Sequence, residues 1–397
     1  MSFIKDLGKV LRVNIRQYGM FIALFVIMVI FTVLTEGIFI SSRNISNLLN
    51  QSGYIAVLAV GMTLVIVIRQ IDLSVGFLAG FLGAIAAIGL HPDLWGLPVY
   101  VVMPFVLLLG TLSGLVMAFL VTRMGIPSFV ATLAGWLTYR GAILVVTRQT
   151  GTIIIADETF NAISNGYVRY LRGLQQVLPG LHKLTLILGL LVLILFIIGQ
   201  IVDRRRKQAY HFEVLPIAVF ILKLVFMSAM IGAITWVLSG YRGLSWTVVI
   251  VLVVVAIYDF VSTKTVIGRH IYAVGGNPEA AELSGISVNR VVYAVFGSMG
   301  LLSALSGIMY ASRLRSATLT AGSLFELDAI AAAYVGGVSA AGGVGRVTGS
   351  LIGALVMTSL TSGMNLMGIG ADYQYVVRGA VLAAAVIFDV ATRTRAK

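Results

Sequence analysis

The chain has no cysteine in its 397 residues, which excludes disulfides, iron–sulfur clusters and thiol catalysis. Its four histidines (His91, His182, His211, His270) lie far apart and in no metal-ligand spacing, so no dedicated metal site is expected. Charge is equally scarce. Only 11% of residues are Asp, Glu, Lys or Arg, against about a quarter in a soluble domain. No Gly-x-x-x-x-Gly-Lys-Ser/Thr loop occurs, so the chain itself is not expected to bind ATP. Neither His-Glu-x-x-His nor Gly-x-Ser-x-Gly is present, and nothing supports hydrolytic or redox chemistry.

Hydrophobic residues make up 59% of the chain, and the mean hydropathy is +1.01. The apolar runs reach the length of membrane-spanning helices, not of barrel strands. The fold class is therefore all-α integral membrane. Twelve segments are expected, near 18–39, 52–68, 74–90, 98–122, 128–147, 184–202, 214–238, 245–262, 291–312, 327–342, 347–366 and 374–391. The segments 74–90 and 327–342 are short and rich in Gly and Ala, as re-entrant or broken helices are. Residues 41–51 alternate polar and apolar side chains and predict an interfacial helix.

The net charge of +13 does not point to nucleic acid, because the basic residues cluster. They fall at Lys5–Arg16, at 204–207, at 264–290 and at Arg393–Lys397, which is the pattern of cytoplasmic loops. Attraction to anionic membrane lipid comes with it. The first apolar run has no small-residue cleavage site and reads as a retained span. The expected organisation is a basic cytoplasmic segment (1–17), one polytopic domain (18–392) and a cytoplasmic tail (393–397). Within the domain, 149–182 is external, made of short amphipathic pieces at 153–160 and 171–178, and 263–290 is cytoplasmic.

That last connector holds the most specific local signal. Asn277 can cap a helix and Pro278 suits its first position. Glu279 and Glu282 favour the positive end of the helix dipole, and Gly285 suits a left-handed stop. A seven-residue helix on an aqueous face, approached by Lys264, Arg269 and His270, reads as a docking element or as a turn that tidies a loop.

Polar residues inside apolar segments are the candidates for a translocation pathway: Asp72, Ser74, Glu326, Asp328, Ser339 and Asn365. The plainer reading of Asp72 and Ser74 is helix capping, and that of Asp328 is a cap or first-turn acid. Arg69 is placed to neutralise Asp72, and Arg140, inside the fifth segment, needs a partner or a cavity. The scattered acids are a weak basis for a proton relay. The regions 61–83 and 336–345, each Gly/Ala-rich with a serine at a break, resemble one another loosely, as in an internal repeat.

Three blocks carry a wider resemblance: 58–76, with Ile71-Asp-Leu-Ser-Val-Gly76; 268–286, with Gly275-Gly-Asn-Pro-Glu-Ala-Ala-Glu-Leu-Ser-Gly285; and 326–345. With Pro127–Leu133 and Tyr139-Arg-Gly141, they make the chain similar to membrane permease subunits of bacterial ABC sugar importers of the ribose/xylose, or multiple-monosaccharide, type. The resemblance implies a permease core of ten helices, like that of the cobalamin importers, with about two extra helices in 180–240 as in the longer xylose-type members. It implies a homodimer in the inner membrane, a cytoplasmic ABC ATPase that holds ATP and magnesium, and an extracytoplasmic sugar-binding protein. It places the coupling helix in the loop Gly275, Gly276, Asn277, Pro278, Glu279, Ala280, Ala281, Glu282, Leu283, Ser284 and Gly285. The chain is then a transport subunit, not an enzyme, with no cofactor of its own, moving a xylose-, ribose-, galactose- or arabinose-like sugar. The alternatives are a permease of this architecture for a branched-chain amino acid or a signalling furanose, and an ion-coupled secondary transporter. Arg69-Gln70 departs from the family, which usually has small or uncharged residues there.

Overall fold

A computed structural model describes residues 15–148, 150–168, 180–212 and 214–394. The basic residues Lys5, Lys9 and Arg12, the expected piece at 171–178, and Arg395 to Lys397 lie outside the described residues.

Each expected apolar segment contains a helix. These are α1 (Ile15–Leu34), α2 (Ser42–Val67), α3 (Val75–Leu90), α4 (Val99–Thr122) and α5 (Ser128–Val146), then α7 (Lys183–Ala209), α8 (Ile217–Ser239) and α9 (Trp246–Lys264), and finally α12 (Val288–Leu314), α13 (Phe325–Val335), α14 (Val347–Leu366) and α15 (Ala371–Thr394). Three shorter helices lie between them: α6 (Glu158–Asn165), α10 (Val266–Gly276) and α11 (Pro278–Leu283). The described strands, β1 (Ile153–Ile154) and β2 (Ser316–Ala317), pair antiparallel with Ile153 opposite Ala317. Nine helices among the described residues are long and apolar enough to cross a membrane. Helix α3, at about 24 Å, and α13, at about 17 Å, fall short of a hydrocarbon core of about 30 Å.

Burial orders the helices concentrically. The apolar stretch of α2 is 89% buried, and those of α12 and α14 are 72% buried. The α7–α8 hairpin forms the periphery, with 6% of each stretch buried. Its base is stitched to the rest: His182 Nε2 lies 3.1 Å from Val168 O, and the Leu244 N–H donates to Thr185 Oγ1 at 2.9 Å.

The chain folds as two inverted halves. Helices α2, α3, α4 and α5 correspond in order to α12, α13, α14 and α15. Helix α12 packs along α3 and α4, while α2 packs along α13 and α14; α3 packs on α5, and α13 on α15. The break after α2 lies at the end of the bundle that carries α10, and the break after α12 lies at the opposite end, beside β1. The likeness between 61–83 and 336–345 was placed partly out of register. The half-helix that answers α3 begins at Phe325, and 336–346 is an irregular turn with left-handed backbone at Gly337, Gly342 and Gly343.

Residues 41–51 enter the second span as one helix: Ser41 caps α2, which runs unbroken from Ser42. Arg43 and Asn47 are exposed on it, whereas Ser46 and Asn50 are buried. Ser46 Oγ and Asn50 Nδ2 each lie 3.3 Å from the Tyr167 hydroxyl, so their alternation marks a protein contact. Helix α6, expected as an amphipathic piece on the membrane, packs one face against the protein. Phe160, Asn161 and Ser164 are buried, and the Ser312 hydroxyl of α12 donates to Phe160 O at 2.8 Å.

Candidate functional site

Between α9 and α12 the chain makes two short helices, where the sequence predicted one. Thr265 caps α10, its hydroxyl accepting from the Gly268 N–H at 3.2 Å. Asn277 ends α10 and caps α11, its Oδ1 accepting from the Ala280 N–H at 3.1 Å. Pro278 takes the first position of α11. At the far end the Gly285 N–H reaches Glu282 O at 2.9 Å and the Ile286 N–H reaches Ala281 O at 3.0 Å, with Gly285 at φ 82°. This is a Schellman stop with glycine at the left-handed position. Helix α11 thus spans Pro278–Leu283, with 277 and 284–285 as its caps.

The faces of α11 differ. Ala281 is buried, whereas Glu279, Ala280 and Glu282 are exposed and Leu283 is 90% exposed. A large apolar side chain projects from a six-residue helix that is capped at both ends.

Helix α10 is the seat of this element. Its Tyr272 hydroxyl donates to Gly345 O at 2.7 Å, and burial raises the phenol above its usual pKa. Gly275 lies against the end of α2, where a Cβ would sit 1.9 Å from Val67 O and 2.8 Å from Gly343 N. Gly276 is free of such neighbours. The Gly343 N–H donates to Val67 O at 2.8 Å, closing a junction of α2, α10 and the 336–346 turn.

Arg69 crosses this junction. It does not neutralise Asp72. Its Nε donates to Gly275 O at 2.7 Å, and its Nη2 donates to Gly276 O. Asp72 is buried and its Oδ1 accepts from the Ser74 N–H at 2.9 Å and the Ser74 hydroxyl at 2.6 Å. The pair forms a local turn, and neither side chain caps α3 in the ordinary way. The strap 69–74 is also tied to α5. The Ile71 N–H donates to Ser128 Oγ at 3.3 Å, and the Thr132 hydroxyl donates to Ile71 O at 3.2 Å.

Beyond the strap, the first turns of α3 and α13 meet. A Cβ on Gly76 would lie 2.1 Å from Glu326 Oε2 and 2.6 Å from Gly322 O. Glu326 is buried, and its Oε1 accepts from Trp136 Nε1 at 2.9 Å. Arg140 finds its partners beside this contact: Nη1 donates to Leu319 O at 2.9 Å, and the guanidinium lies 5.0 Å over the Phe77 ring. Asp328 lies in the first turn of α13, as one of its two readings has it, and caps nothing. It pairs with Arg378 of α15 at 3.2 Å, and Arg378 also donates to Thr361 Oγ1 at 2.9 Å.

The six pathway candidates are therefore dispersed. Asp72 with Ser74, and Glu326 with Asp328, are local groups on the two half-helices. Ser339 contacts Asp389 at 3.3 Å near the α10 end, and Asn365 accepts from Gln374 Nε2 at 2.7 Å near the end of α14. Trp136 and Arg378 carry no signal in the sequence reading, and Arg69 is matched there to Asp72 and not to the α10 carbonyls. Leu283 had a legible signal, as an apolar residue at the end of a polar helix.

The sequence profile of the family described as "Branched-chain amino acid transport system / permease component" matches residues 44–386. The xylose transport system permease protein of Haemophilus influenzae is 38% identical over 388 residues, covering 98% of this chain and 99% of that protein. The protein of the same description from Escherichia coli is 40% identical over 385 residues, covering 96% and 93%. The ribose import permease protein of Haemophilus influenzae is 36% identical over 373 residues, covering 93% and 91%. No solved structure matches the chain.

Proposed function

Because this chain belongs to the family of branched-chain amino acid transport system permease components, we propose that it is the membrane subunit of an ATP-driven importer whose cargo is a monosaccharide. The family description names amino acids. The full-length relatives at 36–40% identity are described as xylose and ribose permeases, which favours a pentose-like sugar. In this reading the chain does no chemistry and binds no cofactor. ATP and magnesium belong to a separate cytoplasmic ATPase, a binding protein delivers the sugar from outside, and two permease copies flank the path in the bacterial inner membrane. The N- and C-termini, α10 and α11 face the cytoplasm, in keeping with the basic clusters.

One observation carries the docking part of the proposal: Leu283, 90% exposed, sits at the tip of a helix fixed by caps and seated on the core. A helix of six residues is about 9 Å long and does not persist alone. Its rigidity here is supplied by Asn277, Gly285 and the seat under Gly275. An apolar anchor flanked by Glu279 and Glu282 suits a groove in a partner with basic walls.

The pathway proposal is narrower. The contact of α3 with α13, and the Asp328–Arg378–Thr361 network joining α13, α14 and α15, are the polar features that a rearrangement of the two halves would open. The cavity lined by Tyr54, Asp328, Thr361 and Arg378 is about 30 Å³, too small for a sugar, and the Asp328–Arg378 pair also lines a second cavity of about 280 Å³, so sugar passage at this pair requires these helices to part.

The test is reconstitution with the cognate ATPase and binding protein. Uptake of D-xylose or D-ribose should require ATP on the cytoplasmic side and should not respond to an imposed ion gradient. Uptake of leucine in place of either sugar would reassign the cargo. Uptake driven by the gradient without ATP would make the chain a secondary transporter.

A further inference from the structure

Helices α2 and α11 end in the same way, with one substitution of chemistry. Each stops in a Schellman turn. In α2 the Arg69 N–H bonds Ile66 O at 2.9 Å and the Gln70 N–H bonds Val65 O at 3.0 Å. The left-handed position that Gly285 fills in α11 is filled in α2 by Arg69, at φ 64°. An L side chain is disfavoured in that backbone conformation, and glycine is the usual occupant. The arginine occupies a position that disfavours it, and its side chain makes two hydrogen bonds across the junction.

The guanidinium holds the last two carbonyls of α10, Gly275 O and Gly276 O. Helix C-termini leave such carbonyls without intrahelical donors, and a cation there also meets the negative end of the dipole. The stem is confined, since a Cβ on Gly342 would lie 2.3 Å from Arg69 Cγ. The backbone of Arg69 opens the strap 69–74. Ile71 in that strap is bonded to α5 through both its N–H and its carbonyl, and Ser74 leads into α3. One residue therefore grips the base of the paired short helices with its side chain and begins the strap with its backbone.

We propose that Arg69 is a positioning residue, a strut that carries displacement of α10 and α11 into the strap 69–74 and, through Ile71, into α5. The proposal rests on the reading of α11 as the ATPase dock. A flexible link at this point would let the ATPase move α11 while α5 stayed behind. The two-point grip on successive carbonyls fixes the orientation of the guanidinium as well as its distance.

The variant Arg69→Gly separates a strut from a structural prop. Glycine suits the left-handed turn, so the variant should fold, unfold at or above the parent's midpoint, and retain the ATPase on pull-down. The complete complex with ATPase and binding protein is reconstituted in liposomes. A single cysteine replaces Leu137, which is exposed on α5; the chain has no native cysteine. The parent should show an ATP-dependent change in the rate of thiol labelling at this site, and Arg69→Gly should not. D-xylose or D-ribose accumulated per ATP hydrolysed should fall by roughly tenfold, the order of an ordinary coupling free energy. Arg69→Lys, with one ammonium for two carbonyls, should restore both readouts in part.

An ATP-dependent change at residue 137 that survives Arg69→Gly, or that is missing from the parent, overturns the proposal. So does parallel loss of stability and ATPase retention, which marks a prop. Leu283→Asp distinguishes the two levels of the argument. If it still retains the ATPase, the docking reading fails and the strut with it. If it releases the ATPase while Arg69→Gly couples normally, only the strut fails.

Discussion

Adjacent glycines at the base of the short helices should respond to the same substitution in opposite ways. A Cβ on Gly275 would lie 1.9 Å from Val67 O, whereas real Cβ atoms essentially never approach closer than 3.0 Å. In Gly275→Ala, α10 must therefore withdraw from α2 by about 1.1 Å, a shift that takes Arg69 Nε out of hydrogen-bonding range of Gly275 O. Overpacking of this kind costs about 1–3 kcal/mol. The better helix propensity of alanine returns about 0.5–1 kcal/mol. Gly276→Ala meets nothing within 4 Å, so only the propensity gain remains and stability should hold or rise slightly. Thermal unfolding followed by intrinsic tryptophan fluorescence reads the stability, and ATPase pull-down reads the position of α11. Gly275→Ala should lower both. Equal unfolding midpoints and equal retention for the two variants would refute the backbone contact between α10 and α2.

Other outcomes follow from the same geometry. Leu283→Asp should leave unfolding unchanged and abolish ATPase retention, whereas Ala281→Trp, at a buried position, should reduce the amount of folded protein. In intact cells, a cysteine at Glu158 should react with a membrane-impermeant thiol reagent; one at Glu282 should react only after the membrane is opened, and the reverse pattern would invert the topology. Replacing residues 188–234 by a short Gly-Ser turn should keep most uptake, since the hairpin is peripheral and its stitched base remains. Loss of all uptake by a stably inserted variant would place α7 and α8 in the mechanism.

The chemistry of α11 was legible because capping is local. Asn277, Pro278 and Gly285 act within one turn of themselves, and each occupies the role its side chain or backbone suits. Helix α10 was not legible, because its glycine pair reads as a connector until Gly275 is seen to serve close approach to α2. Arg69 was read against the nearest acid in sequence. A left-handed backbone turns it away from Asp72 toward carbonyls some 200 residues further on. Ser46 and Asn50 carried no signal for a related reason, since the polar group they meet, Tyr167, is remote in sequence. The twelve apolar segments were legible from composition, whereas the shortness of α13 depends on where Gly336 and Gly337 end it.

The deep burial of α2 also governs the order in which this protein is made. Ser306 Oγ donates to Tyr54 O across 252 residues of sequence, and the Thr63 and Ser350 hydroxyls meet at 2.5 Å across 287. A ribosome adding about 5–20 residues per second needs roughly 13–50 s to supply the first of these partners. Through that interval α2 is a newborn span with a polar, glycine-notched flank and without α12, α13 and α14, which cover much of it. The second half of the chain therefore acts on the first as a late-arriving chaperone. Mutations in α12 or α14 should then register first as degradation of unfinished chains, before any loss of transport in the chains that mature.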